Sequence, residues 1–141
     1  MAPIPETITV ADDGFAFPTS EILTGRGFIT GKSGAGKSNT SNVIAEELLE
    51  LGLPFVIVDI DGEYWGLKES YSIQRAGVAD DVDFDLSFET VPTLVDLVLE
   101  DTTPLILDLA DVPEEDSHDL LEEFVRQLFD RENDVRKPCL L

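Results

Sequence analysis

The chain has 141 residues and carries 30 Asp and Glu against 9 Lys and Arg, a formal charge of −21. One domain is the expectation, and a chain of this size buries roughly 65–70% of the surface its unfolded form exposes. With 43% apolar and 8% aromatic residues it is no disordered tail, and its charge excludes a broad phosphate-gripping face or adhesion to an anionic membrane.

The acids are spread along the whole chain, as on the surface of a protein from a salt-in halophile, where molar salt screens self-repulsion. A solvated acidic face in an ordinary cytosol is the plainer reading. Cys139 is the only cysteine, so an intrachain disulfide is ruled out and a reducing compartment is the default. His118, the only histidine, gives no basis for a histidine metal cluster. The opening Met-Ala-Pro-Ile-Pro-Glu lacks a positive region and an apolar run, so it does not read as a signal peptide. No apolar run approaches the roughly 20 residues of a membrane span. The expectation is a soluble, cytoplasmic protein with no membrane partner.

Residues 1–26 read as a lead-in, with a short strand at Ile8–Val10, a turn at Asp12-Asp13-Gly14 and a helix start at Pro18–Glu21. Gly27–Thr30 is a short apolar strand running into glycine. Residues 37–51 read as a helix, with Val43, Ile44, Leu48 and Leu51 on its apolar stripe and Gly52 ending it. Pro54–Val58 is a continuous apolar run, the mark of a parallel strand buried on both faces; it ends in Asp59-Ile60-Asp61-Gly62-Glu63. Tyr71–Gln74 and Val82–Leu86 are weaker strands. Residues 88–100 read as a helix that tolerates Pro92 only in its first turn. Pro104–Leu109 is another buried strand ending at Asp108. Residues 114–132 form an acidic amphipathic helix with Leu120, Leu121, Phe124, Val125, Leu128 and Phe129 on its apolar face. Cys139-Leu140-Leu141 begins a last strand. Stopping inside an apolar run points to a fragment, with residues 27–141 forming part of a larger domain. The alternation of strand and helix predicts an α/β fold with a parallel sheet.

Gly31-Lys32-Ser33-Gly34-Ala35-Gly36-Lys37-Ser38 fits G-x-x-x-x-G-K-[ST] between a strand and a helix. Glycines let the backbone curl so that its N–H groups point at phosphate oxygens, and the helix N-terminus adds positive partial charge. A lysine at position 37 reaches the β- and γ-phosphates, and a serine hydroxyl at 38 ligates Mg²⁺. Asp59, Asp61 and Glu63 cluster at the C-terminal end of the next strand, where ligands bind in open α/β sheets. Carboxylates there hold the metal through water or orient an attacking water; an acidic strand-to-helix turn is the plain alternative.

Three phosphate-loop families compete. Asp59-Ile60-Asp61-Gly62 matches the D-x-x-G of small GTPases, but only one helix separates it from the loop and no Asn-Lys-x-Asp is present. Lys32 stands at the signature lysine of the ParA/MinD-type partition ATPases, although Ser33 replaces a glycine of their loop. Ser33–Thr40 followed by Val56-Ile57-Val58-Asp59-Ile60-Asp61-Gly62-Glu63-Tyr64 resembles the HerA-like ATPases of the HerA/FtsK group, whose second strand ends in Asp-x-x-Gly-Glu-Tyr. Asp61 stands where that family more usually has His or Lys. The resemblance spans about residues 24–141 and is the favoured reading.

That resemblance implies the N-terminal part of a RecA-like, ASCE-type P-loop NTPase domain with a three-layer fold. It implies hexameric rings that hydrolyse ATP between subunits and move along double-stranded DNA, often beside a partner nuclease. ATP is expected on Gly31, Lys32, Ser33, Gly34, Ala35, Gly36, Lys37, Ser38 and Asn39, and Mg²⁺ on Ser38 and, through water, Asp59. Lys37, Glu63 and Asp59 carry the chemistry, the two acids in support at the γ-phosphate side. Tyr64 and Trp65 pack the turn. The Walker B acids fall beyond Leu141, with Asp108 as the in-chain alternative; Arg126, Arg131 and Arg136 are arginine-finger candidates that more often serve as surface ion-pair residues. The fragment alone is expected to bind Mg–ATP weakly and to hydrolyse it slowly or not at all. A plain nucleotide-binding module is the remaining alternative.

Overall fold

The computed structural model describes residues 4–24, 30–32, 34–64, 66–135, 139 and 141. The expected strand Gly27–Thr30 lies outside them except for Thr30, as do Ser33, Trp65 and Arg136.

The lead-in forms a hairpin. β1 (Thr7–Thr9) pairs antiparallel with β2 (Ala16–Pro18), a strand the sequence did not suggest. The Asp12–Gly14 turn joins them, closed by the Val10 N–H donating to the Phe15 carbonyl and the Phe15 N–H donating to Asp13 Oδ1. α1 (Thr19–Thr24) starts where expected and is tied back by the Thr19 hydroxyl donating to the Pro5 carbonyl at 2.6 Å.

α2 (Lys37–Glu50) follows the glycine loop and ends at Gly52, where Leu53 N–H donates to the Leu48 carbonyl and Gly52 N–H to that of Leu49. Its buried residues are Ala45 and Leu48. β3 (Val56–Asp59) and β6 (Leu105–Asp108) lie within the two apolar runs. Between them come a short helix α3 (Leu67–Ser70), β4 (Gln74–Gly77), β5 (Phe84–Asp85) and α4 (Val91–Leu99), whose Pro92 sits in the first turn as required. β4 begins at the residue where the expected strand Tyr71–Gln74 ends. α5 (Glu114–Val135) runs three residues past its expected end, and Phe129, expected on its buried face, is 52% exposed. Of the last expected strand, Cys139 and Leu141 are in no strand, and Leu140 lies outside the described residues.

Four strands form one sheet in the order β3-β6-β4-β5, every pair parallel. Alternation along the strands divides the core. Phe55, Ile57, Ile73 and Ile106 pack with Ala45 and Leu48 of α2 and with Ile8 and Leu67. Val56, Val58, Leu105 and Leu107 face the other way, against Val95 and Val98 of α4 and Leu120, Phe124 and Leu128 of α5. Helices therefore cover both faces, which is why β3 and β6 read as continuous apolar runs rather than alternating ones. Each fully buried Leu, Val or Phe contributes about 1.5–3 kcal/mol of apolar transfer. Arg131 fastens α5 to α4 through Asp96 at 2.9 Å and Glu100. Among the described residues no helix is long and apolar enough to cross a membrane.

Candidate functional site

The site lies at the C-terminal edge of the sheet, on the face covered by α2. Gly34 and Gly36 hold φ of +81° and +96°, a region other residues rarely adopt, and this curls the loop into the start of α2. A Cβ on Gly31 would stand 2.9 Å from Cβ of Ala35, so the loop closes only on glycine there. The Ala35 N–H donates to the Lys32 carbonyl at 3.0 Å. No side chain caps α2 at Gly36, which leaves its first-turn N–H groups turned toward the loop mouth. Lys37 reaches back across the loop, its ammonium donating to the carbonyls of Gly31 at 2.8 Å and Lys32 at 3.2 Å. Gly31, Lys32, Gly34, Ala35, Gly36, Ser38 and Asn39 are solvent-exposed and Lys37 half-buried.

The acidic turn after β3 meets this loop. The Ser38 hydroxyl donates to Glu63 Oε2 at 3.3 Å, which brings together two residues 25 apart in sequence. Asp59 is differently employed. It is 3% exposed, and its carboxylate accepts the N–H groups of Gly62 at 2.9 Å, Glu63 at 3.1 Å and Tyr64 at 3.1 Å. Asp59 thus builds the turn and Glu63 projects from it. Tyr64 is half-buried against the α2-side core, which agrees with a packing role.

Asp108, weighed as a Walker B acid, is 3% exposed and fully engaged. Its Oδ2 accepts Nε of Arg75 at 2.8 Å and Nη2 at 2.5 Å, and its Oδ1 accepts the Ala110 N–H at 2.9 Å. The hydrogen bond to Asp108 holds the Arg75 guanidinium above its usual range, with a smaller push from Asp81, against the opposing effect of burial. Arg75 carries no motif, and sequence reading passed over it. Its one signal is that it is the single cation between Lys68 and Arg126 in a strongly acidic chain. Of the arginine-finger candidates, the two among the described residues sit in ion pairs: Arg126 with Glu123 at 2.5 Å and Asp130 at 3.5 Å, Arg131 with Asp96 and Glu100.

A hydroxyl and a carboxylate in contact, next to an ammonium and a row of uncapped N–H groups, suit a hard divalent cation carrying a polyphosphate. Comparison with known proteins identifies the family. The family model described as Helicase HerA, central domain, matches residues 19–137, which takes in α1, the glycine loop, the acidic turn and the whole four-stranded sheet. No curated protein and no solved structure matches the chain. The parallel sheet between two helical layers and the family match over most of the chain agree: this chain belongs to the family of the HerA helicase central domain.

Proposed function

We propose that residues 30–39 bind ATP with Mg²⁺ and that the chain serves as the nucleotide-binding part of a HerA-type motor on double-stranded DNA. The observation that carries the reading is the corner formed by Lys37, Ser38 and Glu63 at the N-terminus of α2. Lys37 exchanges its two loop carbonyls for β- and γ-phosphate oxygens. The first-turn N–H groups of α2 receive the phosphates. Ser38 would hold Mg²⁺, and Glu63, beside that hydroxyl, would hold it through water. Asp59 fixes the turn that presents Glu63. Mg²⁺ held there would supply positive charge against the charge that develops as the phosphoryl group transfers.

The ring, the DNA and a nuclease partner come with the family. Nine cations against thirty acids make a basic DNA-gripping face on one protomer untenable. A ring that touches DNA through a few residues per subunit fits better. The acid excess suits a cytoplasm of molar salt.

The test is Lys37→Ala, read by titration with a fluorescent ATP analogue in Mg²⁺ and molar KCl. The expected result is an affinity at least about a hundredfold weaker, since a charge-assisted contact to phosphate is removed. Unchanged affinity would refute the phosphate-loop assignment. ATPase activity stimulated by double-stranded DNA in the assembled protein tests the motor.

A further inference from the structure

Two buried carboxylates stand side by side at the edge of the sheet. Asp59 and Asp108 are register partners in the adjacent parallel strands β3 and β6, and each is 3% exposed. Neighbouring strands lie about 4.8 Å apart. The alternation that sends Phe55, Ile57 and Ile106 toward α2 sends both acids the same way. Like charges buried at that spacing repel strongly unless each is compensated.

The compensation is divided. Asp59 takes three N–H groups of the 62–64 turn. Asp108 takes the Arg75 guanidinium and the Ala110 N–H. Two further features seat this pair. β4 approaches β6 closely: a Cβ on Gly77 would stand 3.3 Å from Cβ of Asp108 and 3.1 Å from Val82 Cγ1, tighter than ordinary contact. The Arg75 backbone is held by its N–H donating to Asp83 Oδ2 at 2.9 Å, and Asp83 is paired in turn with Lys68 of α3. Asp81 touches the guanidinium from the exposed side at 3.1 Å. Ala110, whose N–H Asp108 holds, lies under the acidic turn: its Cβ is 3.4 Å from where a Gly62 Cβ would be.

We propose that Arg75 is a positioning residue for the phosphate-loop site: by compensating Asp108 it leaves Asp59 free to hold the turn that places Glu63 on Ser38. The inference rests on the reading of residues 30–39 with Glu63 as the Mg–nucleotide site. Without Arg75, Asp108 is a buried, unpaired carboxylate beside Asp59. It competes for the N–H groups of the turn and pushes Asp59 away. Glu63 then leaves Ser38, and what suffers is the gain in affinity that Mg²⁺ brings, not the grip of Lys37 and the helix N-terminus on phosphate.

The experiment compares wild type, Arg75→Gln, Arg75→Lys and the double variant Arg75→Gln with Asp108→Asn. A fluorescent ATP analogue is titrated in molar KCl with Mg²⁺ and with chelator. In parallel, emission of the single tryptophan, Trp65, which follows Tyr64 in sequence, is recorded without nucleotide. Arg75→Gln should shrink the Mg²⁺-dependent gain in affinity at least about tenfold and leave Mg²⁺-free affinity within about threefold. The double variant, with no charge left to compensate, should recover most of the gain, and Arg75→Lys part of it. Trp65 emission should shift in Arg75→Gln and return in the double variant. An unchanged Mg²⁺ gain in Arg75→Gln overturns the proposal, as does equal loss with and without Mg²⁺, or a double variant no better than the single. If wild type binds no nucleotide, the nucleotide reading falls, and Trp65 emission alone then decides whether Arg75 positions the turn: no shift in Arg75→Gln overturns it.

Discussion

Asp59→Asn separates two roles for one carboxylate. Asparagine keeps the shape of the side chain, and its oxygen can still accept the N–H groups of Gly62 and Glu63. Its amide nitrogen then faces the Tyr64 N–H, so two donors meet where a 3.1 Å hydrogen bond stood. A hydrogen bond to a charged acceptor contributes about 1.5–3 kcal/mol, and loss of charge roughly halves those that remain. One bond lost and two weakened come to about 3–6 kcal/mol. That is a large share of the roughly 5–15 kcal/mol that holds a domain together. At roughly 2–4 °C per kcal/mol, the melting temperature should fall by about 6–24 °C. The assay is thermal and urea unfolding followed by circular dichroism in molar KCl, without Mg²⁺ and without nucleotide. Stability within about 0.5 kcal/mol of wild type, with the only loss in Mg²⁺-dependent binding, would refute the turn-building role and return Asp59 to the metal-ligand role that its strand-end position suggests.

Salt and thiol chemistry supply two more predictions. With 21 unbalanced negative charges, the fold should loosen as KCl falls from about 3 M to about 0.05 M and the screening length grows several-fold; a circular dichroism spectrum unchanged over that range would count against adaptation to molar salt. Burial, with a smaller push from Glu132, raises the Cys139 thiol to about 12. An unfolded thiol ionises near 8.5, so this group contributes stability that is fully present below that pH and is lost as pH rises toward 12. At pH 8 the native thiol should react with iodoacetamide at least about a hundredfold more slowly than in guanidinium chloride, and equal rates would show that Cys139 is not buried.

The parts of the fold legible in the sequence are those with a single dominant signal. β3 and β6 are continuous apolar runs because helices cover both faces of the sheet. α5 shows its face through Leu120, Phe124 and Leu128, each four residues apart. Phe129 misled because it is one residue beyond that stripe, about 100° further round the helix. β4 was misplaced for a different reason. Tyr71 and Ile73 look like strand residues and do pack in the α2-side core, but pairing with β6 starts at Gln74. A strand reading Gln-Arg-Ala-Gly is tolerated at the centre of a sheet only because Asp108 on the neighbouring strand answers its arginine. That partner is 33 residues away, and no local pattern reports it. The loop glycines, Lys37 and Ser38 were legible because phosphate chemistry fixes their spacing. The Ser38–Glu63 contact was legible only as proximity at one edge of the sheet.

An apolar strand ending in aspartate is the bare description of a metal-handling acid, and this chain has two. Asp59 and Asp108 both fit the description, and both are buried with their oxygens committed to protein donors. A carboxylate that serves a hydrated cation needs an oxygen open to water. At this edge the acid with such an oxygen is Glu63, exposed in the turn and touching Ser38, and it is the one we propose for the cation. The division follows from electrostatics. Two adjacent strand ends cannot both carry free buried charge, so one acid is spent on the N–H groups of a turn and the other on an arginine. The turn then carries Glu63 out to solvent at a fixed position. On that logic a strand-end acid is better judged by the donors around it than by the strand before it, and the double variant at Arg75 and Asp108 puts that logic to a direct test.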